Sequence, residues 1–430
     1  MSTKKLSSGS TRKYIAFFAI VIAVIAILVS YYFVYQPVTI KRQLVIYHLW
    51  TAGGEKEAIS YLVNSFKEKY PDVELIENPT PRPYEPVVLA ALSSDNPPDA
   101  FMWWTGNYLI SLAKDGLLTP LDDMWYKYGY DKEIVEQLQP WVKYNGKIYG
   151  IPLTMHSMWL FYNKKVFDKY GLTPPKTWDE LIEVCDKLKE NGVWPIVTGG
   201  KDVWPVEALF SGLISSMYGS DIMLGLAQGK VKWTDEKVLN AFERFIKLKD
   251  YLHPSSYTLT WAQAADVLAR GEAAMYYMGD WLHGYLKNIG LKPLEDYDFI
   301  PFPKGDPSAP SVVLLVSDVF VIPKNAKHIE EAKLWAAFIA SAEAQEGFVK
   351  YKGCLSPNKD TPLTAYDDLQ KKIYENIVNA DQASLRLRFL LDHKIYSELA
   401  PRLVQMLQNP EKYKELAQEM DKITEEVLGK

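Results

Sequence analysis

The chain has 430 residues, 48% of them apolar, and a formal charge of −5. That length exceeds one small domain and supplies a core that needs no cross-links; the two cysteines, Cys185 and Cys354, are too far apart in sequence to read as a disulfide framework or a metal-ligand cluster. Lys4, Lys5, Arg12 and Lys13 are the only charges in the first 40 residues, so the remainder is acidic and lacks the basic face that nucleic acid requires.

The first element is an uncharged run from Tyr14 to Tyr35, rich in Ile, Val, Ala and Phe. As a helix rising about 1.5 Å per residue it is long enough for a bilayer core of about 30 Å. Basic residues precede it, and Tyr31, Tyr32 and Tyr35 stand where an interfacial aromatic belt belongs. This predicts a cytoplasmic segment 1–13, one N-terminal transmembrane helix over 14–35, and everything later on the extracytoplasmic side. A cleaved signal peptide is the alternative, although the run is long and no clean A-x-A site follows. Both readings place the body outside the cytoplasm. Residues 36–43 read as a tether.

The body begins with the β-forming run Leu44–Trp50, which ends at the turn Thr51-Ala-Gly-Gly54. Ile59, Leu62, Val63, Phe66 and Tyr70 then share one helical face, closed by Pro71, and Val73–Ile76 reads as the next strand. This βαβ unit predicts an α/β fold with parallel pairing. Further strands are expected at Asp99–Trp104, Tyr149–Leu153, Trp159–Tyr162 and Val312–Val316. Thr177 and Glu180 have capping-box spacing at the start of a helix that follows Pro174-Pro175. Helices are also expected over Val238–Tyr251, Ile329–Ala340 and from Pro410 onward.

Residues 146–188, GKIYGIPLTMHSMWLFYNKKVFDKYGLTPPKTWDELIEVCDKL, carry a long ordered pattern. It is flanked by SFKEKYPDVE (65–74), DNPPDAF (95–101), GEAAMYYMGDW (271–281), FIPFPKG (299–305) and SDVFVIPKNAKHIEEAKLWAAFI (317–339). Together these resemble the family 1 extracellular solute-binding proteins, which include maltose- and glucose-binding proteins of ABC importers. The resemblance covers the chain after Leu44. It implies a periplasmic-binding-protein-like fold: two α/β lobes, joined by a hinge of several chain crossings, that close on a ligand held between them. Crossings are expected near Leu153, near Pro301 and within 341–356, giving one lobe of 44–153 with 302–345 and another of 154–301 with 346–430. The implied partners are a sugar and the membrane subunits of an ABC importer. The receptor is expected to be a monomer without cofactor, metal or catalytic residue.

A sugar site needs flat aromatic surfaces for C–H faces and acceptors for hydroxyl rims. The chain has 13 Trp and 28 Tyr, most of them expected to pack the core. Strand ends choose among them, because loops at carboxyl ends of parallel strands face the ligand crevice. Trp50 and Glu55 flank the turn after the first strand. Glu55 also suits a helix N-terminus, and the resemblance to glucose-binding members carries a ligand carboxylate onto it. Alternation along the strand favours Trp104 for the cleft and Trp103 for the core. The resemblance places a polar ligand contact at His156, a second-lobe aromatic at Trp204, and a ligand-contacting acid at Asp318. In Met278-Gly-Asp-Trp281, Gly279 permits close approach, so that Asp280 projects into the cleft beside Trp281; helix capping is the other role open to Asp280. Where glucose-binding relatives carry a His, this chain has Arg386 and Arg388, a departure compatible with a longer or more acidic sugar.

Other functions predict different residues. A glycoside hydrolase needs two carboxyls about 5 Å or about 6.5–9.5 Å apart, and Glu55, Asp280 and Asp318 are the candidates. No HExxH, GxSxG or GxxxxGK[ST] motif is present. A receptor for a metal, polyamine or peptide remains the other alternative, and a metal would call for converging His, Tyr and Asp.

Overall fold

The computed structural model describes residues 8–34 and 42–429, with side chains described over 16–31 and 42–429. The chain divides at 42/43 into two units. In the first, Ser8–Val34 forms one helix of 27 residues whose described side chains are exposed. Among the described residues no helix is long and apolar enough to cross a membrane. The side chains of Tyr14, Tyr32 and Tyr35, ends and belt of the expected anchor, lie outside the described ones.

The second unit is built on two main sheets. In the first, the strands run in the order Val73–Pro79, Arg42–His48, Ala100–Trp104, Asp318–Val321, Ile151–Pro152. Arg42–His48 is parallel to Ala100–Trp104, and Asp318–Val321 runs antiparallel to it with Asp318 opposite Trp104. In the second, the order is Gln382–Leu385, Val312–Val316, His156–Asn163, Ala273–Gly279, Trp194–Ile196, with Tyr297–Ile300 also paired to His156–Asn163. Here His156 lies opposite Val316, and Met158 opposite Gly279. The central strands are buried on both faces, which explains their unbroken apolar runs.

Local chemistry sets the element ends. Thr177 caps the helix Trp178–Glu190, its side chain accepting from the Glu180 N–H. The return bond goes from the Lys176 N–H to Glu180 at 2.6 Å, one residue earlier than a capping box would have it. The expected helix at Val238–Tyr251 is an α-helix over Glu236–Lys247 that tightens to a 3-10 turn over Leu248–Tyr251. Both cysteines are buried and free.

The chain passes between the sheets three times. The first passage is at 153–155. The second comes at Ser317 rather than near Pro301, because Val312–Val316 pairs in the second sheet and only Asp318 onward joins the first. The third follows the helix Ala342–Lys352, which packs along Gly53–Lys69, so the chain leaves the first sheet's helices at Gly353 rather than at 345/346. The passages are bonded to one another: Leu153 N–H donates to Asp318 O (2.9 Å), Asp318 N–H to Thr154 Oγ1 (2.8 Å), and Met155 N–H to Leu355 O (2.9 Å). Gln345 braces the third from beneath. It is fully buried; Oε1 accepts from Ser356 Oγ and from Asn358 N–H, while Nε2 donates to Ile339 O at 3.1 Å. Gln345→Leu keeps the volume and removes these bonds, with Asn358 N–H and Ser356 Oγ still bonded to each other at 3.0 Å, so it should destabilise the protein by about 2–4 kcal/mol. Chemical denaturation measures this, and an unchanged midpoint would show that the network is dispensable.

Candidate functional site

The strand ends of the two sheets converge on one cavity of about 40 Å³. Carboxyl ends of strands deliver Trp50 and Glu55, Trp104, Val316, Trp281, and Arg386 with Arg388. His156 and Asp318 begin antiparallel strands and so reach the same level from the opposite direction. Trp204 opens the helix Trp204–Tyr218. The preceding Val203 has φ +63°, a left-handed conformation that costs a β-branched residue energy and turns the chain into that helix beside the cavity.

Trp50, Glu55, Trp104, His156, Trp204, Trp281 and Asp318 therefore all line one cavity, and Trp103 does not. Asp280 behaves differently. It is fully buried and is not among the lining residues. Its carboxylate accepts from His156 Nδ1, from the Ser157 N–H (3.0 Å) and from Ser157 Oγ (3.1 Å). It makes no side-chain cap to the helix Trp281–Asn288. The strand His156–Asn163 presents three donors at this point, and they draw the carboxylate away from the cavity and away from the cap. Gly279 has a different role too: a Cβ there would lie 2.0 Å from the Trp281 ring, so its absence makes room for that indole.

A line of buried charge crosses the site. Lys352 pairs with Glu55 through Nζ and lies 3.9 Å from Asp318 Oδ2. His156 Nε2 lies 3.3 Å from the same Asp318 oxygen, near enough for attraction but misaligned for a hydrogen bond, and its Nδ1 meets Asp280. Burial opposes a charge on His156, but the Asp280 and Asp318 carboxylates outweigh it and raise its pKa. Burial likewise opposes the Lys352 charge, and Glu55 and Asp318 overcome it, so its pKa is also raised. For Asp318 burial favours the neutral acid, yet His156 and Lys352 hold its pKa down. Asp318 thus stands between the Lys352 ammonium and the His156 imidazole, and both favour its ionised form.

The walls are indoles. Trp281 meets His156 edge-on at 5.0 Å and Trp204 at 5.8 Å. Lys352 lies over Trp50 at 5.4 Å, and Arg386 over Trp204 at 5.1 Å. Sequence reasoning missed Trp261, Lys352, Arg82 and the apolar lining Leu49, Met102 and Phe389. Trp261 had a legible signal, because Thr260 and Gln263 form a capping box that puts it at a helix start. Lys352 had none, since its partner Glu55 is 297 residues away. Among the described residues no group of three or more His, Cys, Asp or Glu is arranged to hold a metal ion.

The charge line makes stability pH-dependent. The imidazolium of His156 contributes fully below its unfolded pKa of about 6.5, and the contribution fades as pH rises through the raised folded value. The Asp318 carboxylate contributes above its unfolded pKa of about 3.9, and that contribution is lost as pH falls through the lowered folded value. The unfolding temperature should therefore decline on the alkaline side, and His156→Gln should flatten that decline. An identical profile in the variant would mean that the imidazole is neutral throughout.

The model of the bacterial extracellular solute-binding protein family matches residues 52–346. An uncharacterized ABC transporter extracellular-binding protein of Pyrococcus horikoshii is 36% identical over 347 residues, 79% of this chain and 77% of that one. A probable sugar-binding periplasmic protein of Brucella suis is 29% identical, over 79% of this chain and 81% of that one. Among solved structures, the bacterial solute receptor AcbH, described with a preference for β-D-galactopyranose, aligns with a TM-score of 0.84 over 90% of this chain and 99% of that one, at 24% identity. That likeness establishes the two-lobed, periplasmic-binding-protein-like α/β fold, to which the two sheets and their three passages correspond. On this match of sequence and architecture, the chain belongs to the bacterial extracellular solute-binding protein family, whose members work outside the cytoplasm.

Proposed function

We propose that this protein is the sugar-capturing receptor of an ABC importer, held at the membrane by its N-terminal helix. The observation that carries the reading is the convergence of five indoles, Trp50, Trp104, Trp204, Trp261 and Trp281, on a cavity that also holds Glu55 and Asp318. Indole faces suit the C–H faces of a sugar ring, and an ionised carboxylate accepts two hydroxyl protons. The names of the relatives, several of which bind sugars, support the same class.

The lobes are centred on the two sheets, with the hinge at the three bonded passages. A cavity of about 40 Å³ has room for a few waters but not for a sugar ring. Ligand therefore enters with the lobes apart, and closure brings Trp50, Glu55, Trp104 and Asp318 from one side against Trp204, Trp281 and the arginines from the other. Ligand favours the closed form, and the importer reads that surface. Asp280 acts as a positioning residue, fixing the His156 ring. A hydrolase would need a carboxyl that holds its proton near neutrality, and the lowered pKa of Asp318 does not suit that role.

The full chain in detergent should gain unfolding temperature with at least one mono- or oligosaccharide, because a ligand that binds only the folded state stabilises it by mass action. The sugar should be recovered intact. Trp204→Ala should weaken binding about tenfold or more, which corresponds to about 1.4 kcal/mol of lost stacking. No shift across a broad panel removes the sugar assignment, and consumption of the sugar hands the reading to a hydrolase.

Support for the anchor comes from the uncharged run Tyr14–Tyr35 and from the exposed side chains of Phe17, Phe18, Ile20, Ile22 and Ile27. The full chain should fractionate with membranes and resist alkaline carbonate, and deletion of residues 1–40 should release it. Recovery of the mature protein without its first residues would indicate a cleaved signal instead.

A further inference from the structure

We propose that the sugar bears an anionic group, and that Arg82 and Arg386, both beside the Trp204 ring, receive it. This rests on the sugar-receptor reading and narrows its ligand class. Charges at one end of the cavity are already paired: Lys352 with Glu55, and His156 with Asp280. At the other end Arg386 meets its carboxylate more loosely. Arg386 is 2% exposed, and its Nε and Nη1 have no hydrogen-bond partner. The facing carboxylate, Glu207, stands 3.6 Å away through an oxygen that is itself unbonded, while its other oxygen accepts from Ser211 Oγ at 2.6 Å. Trp204 Nε1 is also buried without a partner. Arg82 is exposed, lines the same cavity, and lies over the Trp204 ring at 5.7 Å.

The neighbouring Arg388 shows what a structural arginine looks like here. It pairs with Glu85 through Nη2, and the rings of Trp104, Tyr108 and Phe389 surround it. Arg386 has only the 3.6 Å ion pair with Glu207, with no hydrogen bond in it, and leaves two donors unbonded where Arg388 leaves Nε. A buried guanidinium whose donors go unused is poised for an acceptor group. A hydroxyl rim offers single neutral acceptors, whereas a carboxylate offers two charged oxygens that match the guanidinium fork. Burial lowers the Arg386 pKa and the Arg388 charge adds to the lowering, while Glu207 opposes it.

The test compares sugars that differ only in that group: glucose with glucuronate and glucose 6-phosphate, galactose with galacturonate and galactose 6-phosphate, and short oligomers of the hexoses and uronates. Calorimetric titration of the full chain in detergent should show one charged sugar binding about tenfold or more tighter than its neutral counterpart at low salt, with the advantage shrinking as salt rises. The uronate and phosphate arms identify which anionic group is read. Arg386→Gln should reduce the advantage, read as the ratio of charged-sugar to neutral-sugar affinity within the same variant, to about twofold. Arg82→Gln, at an exposed position, should reduce it in part, and it serves as the test if the buried variant does not fold. Equal or tighter binding of the neutral sugars overturns the proposal and leaves the sugar receptor standing, as does a preference that both variants retain. If no sugar of either kind binds, both readings fall together.

Discussion

The site depends on a buried line of alternating charge: Glu55, Lys352, Asp318, His156 and Asp280. Each member except Glu55 is almost fully removed from water, and a lone charge in such a place is costly. Every member is tolerable only because its neighbours stand within a few ångströms. The line also draws on both halves of the fold. Glu55 and Lys352 come from helices packed beside the first sheet, Asp318 begins one of its strands, and His156 and Asp280 belong to the second. His156 and Asp318 flank the bonded passages, so the network fixes how the two halves meet there.

The aromatic walls act on that arrangement without directing it. Trp50 packs on Phe320 and Phe348, and Trp104 on Tyr84 and Tyr108, so each indole has one side in the core and an edge at the cavity. Such rings bury large area with few rotatable bonds, and a ligand would meet surfaces already fixed in place. The guanidinium end is less settled. Arg386 borrows part of its stabilisation from the Trp204 and Phe389 faces, which supply attraction but no acceptor.

Much of the fold was legible because its signals are local. Arg42–His48, Ala100–Trp104 and Val312–Val316 are runs of β-formers that end in turns, and Ile329–Ala340 has its apolar stripe and acidic first turn. The helix Trp204–Tyr218 was not legible. Its residues from Trp204 through Met217 are all buried, so it has no polar face to set against an apolar one, and periodicity carries no information there. The passage at Ser317, expected near Pro301, was misplaced for a related reason. Which sheet takes a strand such as Val312–Val316 depends on pairing partners distant in sequence, and a strand's own composition does not name them.

The site divides in the same way. Sequence alone determined that Trp50 and Trp104 stand at strand ends, since chain direction and β-forming runs fix where strands stop. Tertiary structure alone decided that Lys352 answers Glu55, that Asp280 turns inward to His156, and that Arg388 is hydrogen-bonded to its carboxylate while Arg386 faces its own without a hydrogen bond. The physical reason is that an ionised group's role depends on its burial and on the distance to other charges, and in a low-dielectric interior a separation of an ångström or two changes the outcome. Sequence spacing encodes neither quantity across a gap of 297 residues.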